Sequence, residues 1–319
     1  MNHEWERDFT DELIGIAGAE GVTRNAPLAM LTTFRVGGPA DWLVEARTPD
    51  AAGAILRAAR ARAVPVTILG GGSNVLVSDA GVRGVVMRLA LGGIAQRGPG
   101  LVRAGAGVTI NGLVRWLVSR GLAGLEAWAG TPGTVGGAIY GNAHWSGTNI
   151  GDRVARVGVM TDAGDERILE ASEMEFAYDR SRLQRSGELL LWAEFRVTAG
   201  YSEALRRRAR ESLAFRKRTQ PLALPSAGCV FQNPDPARDA VPAGVPASAG
   251  ALVDRAGLKG HRIGGAVISP VHANFIVNDG GATARDVRAL IETARRAVRE
   301  RFGVELRDEV VYLGTFDHG

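Results

Sequence analysis

The sequence predicts an α+β protein in which a two-lobed domain precedes a smaller α/β domain. Segments with the apolar spacing of strands and of helices alternate over about the first 200 residues. Two glycine-rich segments, at residues 70–74 and 129–143, interrupt this alternation. Six prolines then fall between Pro221 and Pro246. Because proline is excluded from helix interiors and central strands, this stretch marks a change of structure.

The change of composition sets the predicted domain boundaries. A chain of 319 residues is long enough for two or three domains. We expect the proline-rich stretch to form an ordered loop of the second domain. The predicted parts are an N-terminal extension at residues 1–25, a two-lobed domain at 26–200, with lobes of about 26–63 and 64–200, and a C-terminal domain at 201–319.

Composition excludes several classes of protein. No apolar run approaches the roughly 20 residues of a membrane span, and the acidic start is unlike a signal peptide, so we expect a soluble cytoplasmic protein. The single cysteine, Cys229, excludes an internal disulfide and a zinc site of several thiolates, and we predict no metal centre. The net charge of +4 suits an anionic ligand. The sequence has no strip of basic and aromatic residues, so we expect no nucleic-acid partner. We also expect no membrane partner and a monomeric protein.

Regular structure is predicted to begin with a strand, a second strand and a helix. Thr33–Pro39 reads as a strand that runs into a turn. Every second residue from Trp42 to Ala46 is apolar, which predicts one buried strand face. Thr48 is placed to cap a helix that begins at Pro49, where the missing N–H of proline is harmless.

The segment Gly70-Gly71-Gly72-Ser73-Asn74 lies between two apolar strand patterns. Three consecutive glycines contribute no packing, so they are favoured where a ligand must approach bare main-chain N–H groups. An anion such as a diphosphate fits this description. A plain tight hairpin is the alternative, because the helix that follows the glycine loop in Rossmann and P-loop sites is absent.

The second glycine-rich segment, Ala129–Ala143, contains five glycines. Two such segments in one domain indicate a long ligand that is held from both sides. The predicted elements around it are strands at residues 82–89, 101–104, 154–160 and 189–197 and an amphipathic helix at 109–121. The predicted elements that follow are helices at 201–217, 248–256 and 283–302 and strands at 266–269, 274–277 and 310–313. Gly257 and Gly303 are placed to end the last two helices.

Two motifs together resemble those of a known family. GGGSN at residues 70–74 is followed by GTPGTVGGAIYGNA at 130–143. The pair is similar to the FAD site of the UDP-N-acetylenolpyruvoylglucosamine reductase (MurB) family, within the vanillyl-alcohol-oxidase type of flavoproteins. The match runs from Thr32 to Glu309. The resemblance implies that the two-lobed domain is an FAD-binding domain of the PCMH type and that the C-terminal domain binds substrate.

The resemblance implies an FAD-dependent reductase of peptidoglycan precursor synthesis. NADPH would reduce the FAD, which would pass hydride to UDP-N-acetylglucosamine enolpyruvate, and protonation would then give UDP-N-acetylmuramate. NADPH and this sugar are the expected partners. The residues that the resemblance assigns to FAD are Arg35, Gly70, Gly71, Gly72, Ser73, Asn74, Thr131, Pro132, Gly133, Thr134, Gly136, Gly137, Ala138 and Asn142.

Cys229 occupies the position of the family's proton donor. The family carries a serine in a Ser-Ala-Gly-Ser-Val-Phe type of segment, and the matching segment here is Ser226–Phe231. A thiol, with a pKa of about 8.5, is protonated at neutral pH and is a stronger acid than a serine hydroxyl, so the role is retained. The alternative is a buried cysteine that acts as a small apolar side chain.

The resemblance assigns two further catalytic roles. Glu309 matches the family's acid. The family's cation is the arginine of Tyr-Arg-x-Ser, whereas here Tyr178-Asp179-Arg180-Ser181 places the arginine one residue later. In an extended segment this shift would reverse the direction of the side chain unless a bulge restores it. We therefore predict Arg180 as the cation, with Arg182 as the alternative.

For the diphosphate and the uridine, the resemblance assigns Lys217, Asn233, Lys259 and Arg262. Among the 38 lysines and arginines only Lys217 and Lys259 are lysine, which indicates sites that need a compact ammonium or arises by chance. His272 is predicted to be a structural residue. Two other functions stay open: a flavin oxidase of the same superfamily that acts on an alcohol, and a regulatory module that binds a nucleotide without chemistry.

Overall fold

The computed structural model of the chain describes residues 4–235 and 237–316. It divides into two compact units. Unit 1 comprises Met1–Ala26, Ala40–Gly71 and Arg83–Ala214, and unit 2 comprises Pro27–Pro39, Gly72–Val82 and Phe215–Gly319. Each unit therefore gathers segments that are distant in the sequence. Pro236, one of the six prolines of the predicted loop, lies outside the described residues.

The helices and strands alternate along most of the chain. The helices are α1 Glu4–Ala17, α2 Pro49–Ala61, α3 Ile110–Ser119, α4 Val135–Tyr140, α5 Leu183–Ser186, α6 Ser202–Thr219, α7 Ala249–Arg255 and α8 Ala284–Phe302. The strands are β1 Val22–Pro27, β2 Pro39–Ala46, β3 Val66–Leu69, β4 Val75–Val77, β5 Val82–Leu89, β6 Ile94–Gly98, β7 Leu101–Gly105, β8 Leu122–Ala123, β9 His144–Trp145, β10 Thr148–Asn149, β11 Val154–Met160, β12 Glu166–Glu170, β13 Leu189–Arg196, β14 Thr198–Ala199, β15 Arg262–Ile263, β16 Ala266–Ile268, β17 Ile276–Asn278 and β18 Val311–Leu313.

Unit 1 contains two large β-sheets, each with its own apolar core. The four-stranded sheet has the order β1-β2-β5-β3, and β3 and β5 are parallel. The five-stranded sheet is antiparallel, with the order β12-β11-β13-β7-β6. Two separate clusters of buried side chains cover these sheets, as expected of a two-lobed domain.

The first core joins the four-stranded sheet to α1 and α2. Every second residue from Trp42 to Ala46 is buried, as the alternation predicts, and Thr48 caps α2 with its side chain. Phe9 of α1 meets Trp42 edge to face, with 5.2 Å between the ring centroids. Because this geometry is favoured and both rings are buried, the contact stabilises α1 against the sheet.

The second core joins the five-stranded sheet to α3 and α4. The buried face of α3 consists of Ile110, Leu113 and Leu117, at the predicted helical spacing. Helix α4 lies inside the second glycine-rich segment, where the sequence pattern predicts no helix. Its glycines lower helix propensity, but the burial of Val135 and Ile139 overrides that preference.

Unit 2 is built around α8. This helix begins at a capping box of Thr283 and Asp286, buries Val287 and Leu290, and ends at Gly303, whose φ of 69° is left-handed. Its apolar face packs with α7 and with the antiparallel sheet β15-β16-β17. Strand β4, which follows the first glycine-rich segment, pairs in parallel with β18 and so belongs to this unit.

The prediction of a strand at Thr33–Pro39 is wrong. The segment is irregular up to residue 38, and Arg35 and Gly37 have φ values of 56° and 119°, outside the strand region. Phe34 and Val36 are nevertheless buried in the core of unit 2. The alternating apolar pattern therefore comes from a loop that turns two side chains inward.

Candidate functional site

The two glycine-rich segments touch each other within unit 1. A Cβ atom added at Gly71 would lie 2.6 Å from the Cα atom of Gly133, closer than real Cβ atoms approach. One added at Gly70 would lie 3.0 Å from Thr134 Oγ1. Packing between the two segments thus requires these glycines, in addition to any need for a ligand to approach the main chain.

A run of main-chain donors lies at this contact. The N–H groups of Gly70, Gly71, Gly133 and Thr134, all in unit 1, have no protein acceptor among the described residues. Consecutive main-chain N–H groups form anion-binding concavities. This donor set fits the diphosphate of FAD.

Asn111 of α3 holds the start of the second glycine-rich segment. Its Nδ2 donates to the carbonyl oxygen of Thr131 at 3.2 Å, and its Oδ1 accepts from the N–H of Gly130 at 2.7 Å. Thr134 then caps α4 by accepting a hydrogen bond from the N–H of Gly137. The sequence alone does not reveal this role of Asn111, because its partners are distant in the sequence and no local pattern marks it.

Asn142, which the sequence analysis assigns to FAD, binds protein main chain. It is 2% exposed. Its Nδ2 donates to the carbonyl oxygen of Ala177 at 2.7 Å, and its Oδ1 accepts from the N–H of Gly151 at 3.0 Å. These bonds tie the end of the second glycine-rich segment to the segment that carries Arg180. The role of Asn142 in holding FAD stays a prediction.

The remaining residues assigned to FAD divide between the units. Pro132, Gly136, Gly137 and Ala138 lie with α4 in unit 1, where Pro132 and Gly137 are exposed. Arg35, with an exposed side chain, and Ser73 lie in unit 2.

Arg180 lies on a tight turn of unit 1, so the premise of an extended segment is wrong. Ala177 and Arg180 exchange both main-chain hydrogen bonds, at 3.0 and 3.1 Å, and Asp179 has a φ of 52°. Arg180 is exposed and forms no ion pair within residues 4–235 and 237–316. Arg182 instead donates from Nε to Glu188 at 2.8 Å, and this hydrogen bond lowers the pKa of Glu188. These contacts favour Arg180 over Arg182 as the cation.

Cys229 and Glu309 lie on neighbouring segments of unit 2. Gly228 has a left-handed φ of 80°, which explains the glycine before the cysteine. Cys229 is partly exposed, unlike a buried apolar side chain. The N–H of Glu309 donates to the carbonyl oxygen of Val230 at 2.9 Å. Two residues that are far apart in the sequence are thus joined by one main-chain hydrogen bond between their segments.

A buried asparagine, Asn274, fixes the segment that carries Cys229. Its Oδ1 accepts from the N–H of Phe231 at 3.0 Å, and its Nδ2 donates to the carbonyl oxygen of Phe231 at 2.8 Å. His272 Nδ1 accepts from the N–H of Asn274 at 3.2 Å. Burial, together with the charge of Lys259, lowers the pKa of His272, in agreement with a structural role for the neutral ring.

Side chains also hold the segment of Glu309. Asn74 Nδ2 donates to the carbonyl oxygen of Glu309 at 3.0 Å, so this residue, assigned to FAD, also positions the predicted acid. Asp308, the preceding residue, pairs with Arg295 and accepts from Tyr312 Oη at 3.1 Å. Burial raises the pKa of Tyr312, which keeps this donor protonated.

The residues assigned to the diphosphate and the uridine all lie in unit 2. Lys217 is exposed in the last turn of α6, and Asn233 Oδ1 accepts from the N–H of Ala249 at the start of α7. Lys259 pairs with Asp254 at 2.7 Å. Arg262 pairs with Asp279. Two of the three predicted cations therefore already have carboxylate partners.

Comparison with known proteins decides the family. Residues 220–313 match the family model for UDP-N-acetylenolpyruvoylglucosamine reductase, C-terminal domain, and residues 40–170 match that for an FAD binding domain. A UDP-N-acetylenolpyruvoylglucosamine reductase from Anaeromyxobacter sp. (strain K) is 46% identical over 301 residues, which cover 92% of this chain and 86% of that protein. The chain belongs to the UDP-N-acetylenolpyruvoylglucosamine reductase family.

Other members of this family give the same result. The reductase of that name from Bacillus velezensis is 38% identical over 295 residues, which cover 92% of this chain and 94% of that protein. The crystal structure of UDP-N-acetylenolpyruvylglucosamine reductase (MurB) from Thermus caldophilus matches with a TM-score of 0.76 and 35% identity. That match covers 92% of this chain and 98% of the Thermus chain.

The family predicted from the two glycine motifs is therefore confirmed, as is the α+β fold with an FAD-binding domain and a C-terminal domain. The chain is an FAD-dependent oxidoreductase of this family. None of the helices among the described residues is both long and apolar enough to span a membrane. The predicted domain boundaries, site residues, monomeric state and cytoplasmic location stay predictions.

Proposed function

We propose that this chain reduces UDP-N-acetylglucosamine enolpyruvate to UDP-N-acetylmuramate, with bound FAD and with NADPH as the reductant. Family membership over 92% of the chain supports the reaction. The observation that carries it for these residues is the main-chain bond between the segments of Cys229 and Glu309. It places the segments of these two residues, which the sequence separates widely, next to each other.

The main-chain N–H groups of the two glycine-rich segments would hold the diphosphate of FAD. Bound FAD supplies the hydride chemistry between NADPH and the enolpyruvyl double bond. The contact between Gly71 and Gly133 keeps the two runs of donors together, because a side chain at Gly71 would separate them. Donors that are fixed before the ligand arrives need no reorganisation when it binds.

Cys229 would donate the proton. Hydride addition to the terminal carbon of the double bond leaves the carbon next to the carboxylate as an enolate. The S–H bond of Cys229 breaks, its proton goes to that carbon, and the thiolate regains a proton from water. The left-handed Gly228 and the two bonds of Asn274 to Phe231 would fix the position from which the thiol acts.

Arg180 and Glu309 would act on the charge of the intermediate. The exposed guanidinium of Arg180 would attract the substrate carboxylate and stabilise the enolate as its charge develops. The carboxyl group of Glu309 would act as the family's acid. Asn74, through its bond to the Glu309 carbonyl oxygen, would hold that carboxyl group in place.

Lys217 would be the first cation to meet the diphosphate of the substrate. It is exposed, and within the described part of the chain it forms no ion pair. Lys259 and Arg262 would have to exchange Asp254 and Asp279 for the ligand. Since such exposed pairs contribute about 0–1 kcal/mol, the exchange costs little.

An anaerobic titration tests the proposed function. The purified protein should be yellow, NADPH should bleach it, and UDP-N-acetylglucosamine enolpyruvate should restore the colour with formation of UDP-N-acetylmuramate. A reduced protein that stays bleached with this sugar contradicts the proposal. Recolouring by oxygen after reduction by an alcohol would indicate the oxidase, and a colourless protein would indicate the nucleotide-binding module.

A further inference from the structure

The turn that carries Arg180 is held by a histidine and a carboxylate to which no role has been assigned. His144 Nδ1 lies 3.0 Å from Asp179 Oδ1, and Asp179 directly precedes Arg180. The ring of Tyr178 lies 4.9 Å from the imidazole, measured between centroids. Both central residues of the turn therefore contact His144.

Asp179 depends strongly on this contact. Its side chain is 10% exposed, and its Oδ2 is buried without a hydrogen-bond partner among the residues that the structure describes. Burial of a carboxylate is unfavourable unless hydrogen bonds or charges compensate it. The left-handed φ of 52° is a conformation that aspartate tolerates better than most residues. His144 thus stabilises a carboxylate that the turn removes from water.

Both partners are anchored to the end of α4. Asn142 donates to the carbonyl oxygen of Ala177 at 2.7 Å, and Ser181 Oγ donates to the carbonyl oxygen of Tyr140 at 2.8 Å. His144 begins β9, which pairs with β10 directly after the second glycine-rich segment. The turn and the histidine therefore share one support in unit 1, and their distance is set by the fold.

A negative charge beside Arg180 has an electrostatic consequence. An uncompensated Asp179 carboxylate would repel the carboxylate that we propose Arg180 to bind, and it would compete for the guanidinium. A hydrogen bond from the imidazole occupies Oδ1 and offsets this charge. The guanidinium of Arg180 then stays available for the substrate.

We propose that His144 and Asp179 are a positioning pair for Arg180. The pair holds the turn Ala177–Arg180 so that the guanidinium faces the carboxylate of the enolpyruvyl group. This inference rests on the proposed function, and neither partner has to touch the reacting atoms. The arginine of this chain lies one residue later than the arginine of the family motif Tyr-Arg-x-Ser. The pair gives a physical reason for this shift, because Asp179, at the motif's arginine position, is used to fix the turn.

A double-mutant cycle tests the pair. Wild type, His144→Ala, Arg180→Ala and the double variant are compared in single-turnover reoxidation of the reduced enzyme by UDP-N-acetylglucosamine enolpyruvate. Misplacement of a positioned group costs on the order of 10²-fold in rate, which we expect for His144→Ala. The double variant should be no slower than Arg180→Ala, because His144 acts through Arg180.

Further measurements separate positioning from simple stability. The Kd of the oxidised protein for the sugar, measured by calorimetry, should weaken in His144→Ala and Arg180→Ala and weaken no further in the double variant. Flavin content and the rate of flavin reduction by NADPH, measured well below the Tm of each variant, should stay at wild-type values. Thr148→Ala is the matched control in the same hairpin, since Thr148 Oγ1 donates to the carbonyl oxygen of Trp145 within that turn. We expect the wild-type rate for it.

Substitutions at Asp179 provide the second test, should His144→Ala fail to fold. Asp179→Asn retains both the tolerance for a left-handed φ and a hydrogen bond with the imidazole, so most of the rate should remain. Asp179→Ala should lose as much as His144→Ala.

Two results would overturn the pair. The first is a double variant whose loss of reoxidation rate, as a free energy, equals the sum of the losses in the two single variants. The second is a wild-type rate of reoxidation in His144→Ala or Asp179→Ala. In either case, a wild-type enzyme that turns over still supports the reductase. A wild-type enzyme that the sugar does not reoxidise refutes the proposed function itself.

Discussion

Unit 1 offers its proposed ligand contacts mainly from the main chain, whereas unit 2 offers them from side chains. In unit 1 the donors are the N–H groups around Gly71 and Gly133. In unit 2 the groups are the thiol of Cys229 and the carboxyl group of Glu309. Main-chain donors depend on the path of the backbone, so added volume should disrupt them. The function of a side-chain group depends on its chemical identity, so a substitution that removes the proton-donating group or the carboxyl group should abolish that function.

Both units nevertheless use the same supporting device, a buried asparagine. Asn142 in unit 1 and Asn274 in unit 2 are 2% and 3% exposed. Each accepts from one main-chain N–H and donates to one main-chain carbonyl oxygen. An amide side chain can do this because it carries a donor and an acceptor, like the peptide group that it replaces. The units therefore differ in what they display and agree in how they hold it.

The largest expected effect tests the dependence of unit 2 on chemical identity. Cys229→Ala removes the proposed proton donor, and loss of a positioned general acid typically costs about 10²–10⁴-fold in rate. Cys229→Ser should stay active, since a hydroxyl can fill the same role. Stopped-flow measurements should show unchanged flavin reduction by NADPH in both variants. Normal turnover of the alanine variant would remove Cys229 from the mechanism.

The next effect tests the dependence of unit 1 on volume. Gly71→Ala places a Cβ atom 2.6 Å from the Cα atom of Gly133, so the two segments must separate. Overpacking of this kind costs about 1–3 kcal/mol, and we expect FAD affinity to fall by on the order of 10–100-fold. Gly92→Ala is the control, because its Cβ atom would meet nothing within 4 Å. Equal flavin content in the two purified variants would contradict the proposed role of the contact.

A smaller effect tests the shared device. Asn142→Ala and Asn274→Ala each leave a main-chain donor and acceptor without a partner, and we expect each to destabilise the protein by about 1–3 kcal/mol. Gln184→Ala is the control, since its exposed amide also donates to main chain and should change stability by less than about 0.5 kcal/mol. Urea unfolding measures all three. A large loss in only one asparagine variant would break the parallel between the units.

The smallest effect concerns acid sensitivity away from the proposed ligand contacts. Burial alone would raise the pKa of Glu194 in β13, but hydrogen bonds from Arg156 and Arg103 lower it overall. A lowered pKa contributes stability that is present above the unfolded value and lost as the pH falls through the folded value. Glu194→Gln should therefore make stability less dependent on pH below about 4.3, the ordinary glutamate pKa. In unit 2 the hydrogen bond from Arg307 lowers the pKa of Asp239, so Asp239→Asn should act in the same direction.

Local signals predicted most of the elements and the family. The alternation in β2, the cap at Thr48 and the stop at Gly303 each involve residues within one or two turns, so the sequence alone reveals them. The two glycine motifs likewise are contiguous. Residues that bind a common ligand can be identified from the sequence when they lie in one contiguous motif.

Only the tertiary structure decided which segments meet. The sequence by itself determined the burial pattern of α8, because periodicity records which face is apolar. It did not reveal that the residues around Phe34 form a loop, since two inward side chains there imitate a strand. Nor did it reveal the partners of His144 and Asn274, because a polar side chain that binds a distant segment leaves no periodic signal. Periodicity encodes burial, whereas hydrogen-bond partners depend on how distant parts of the chain pack.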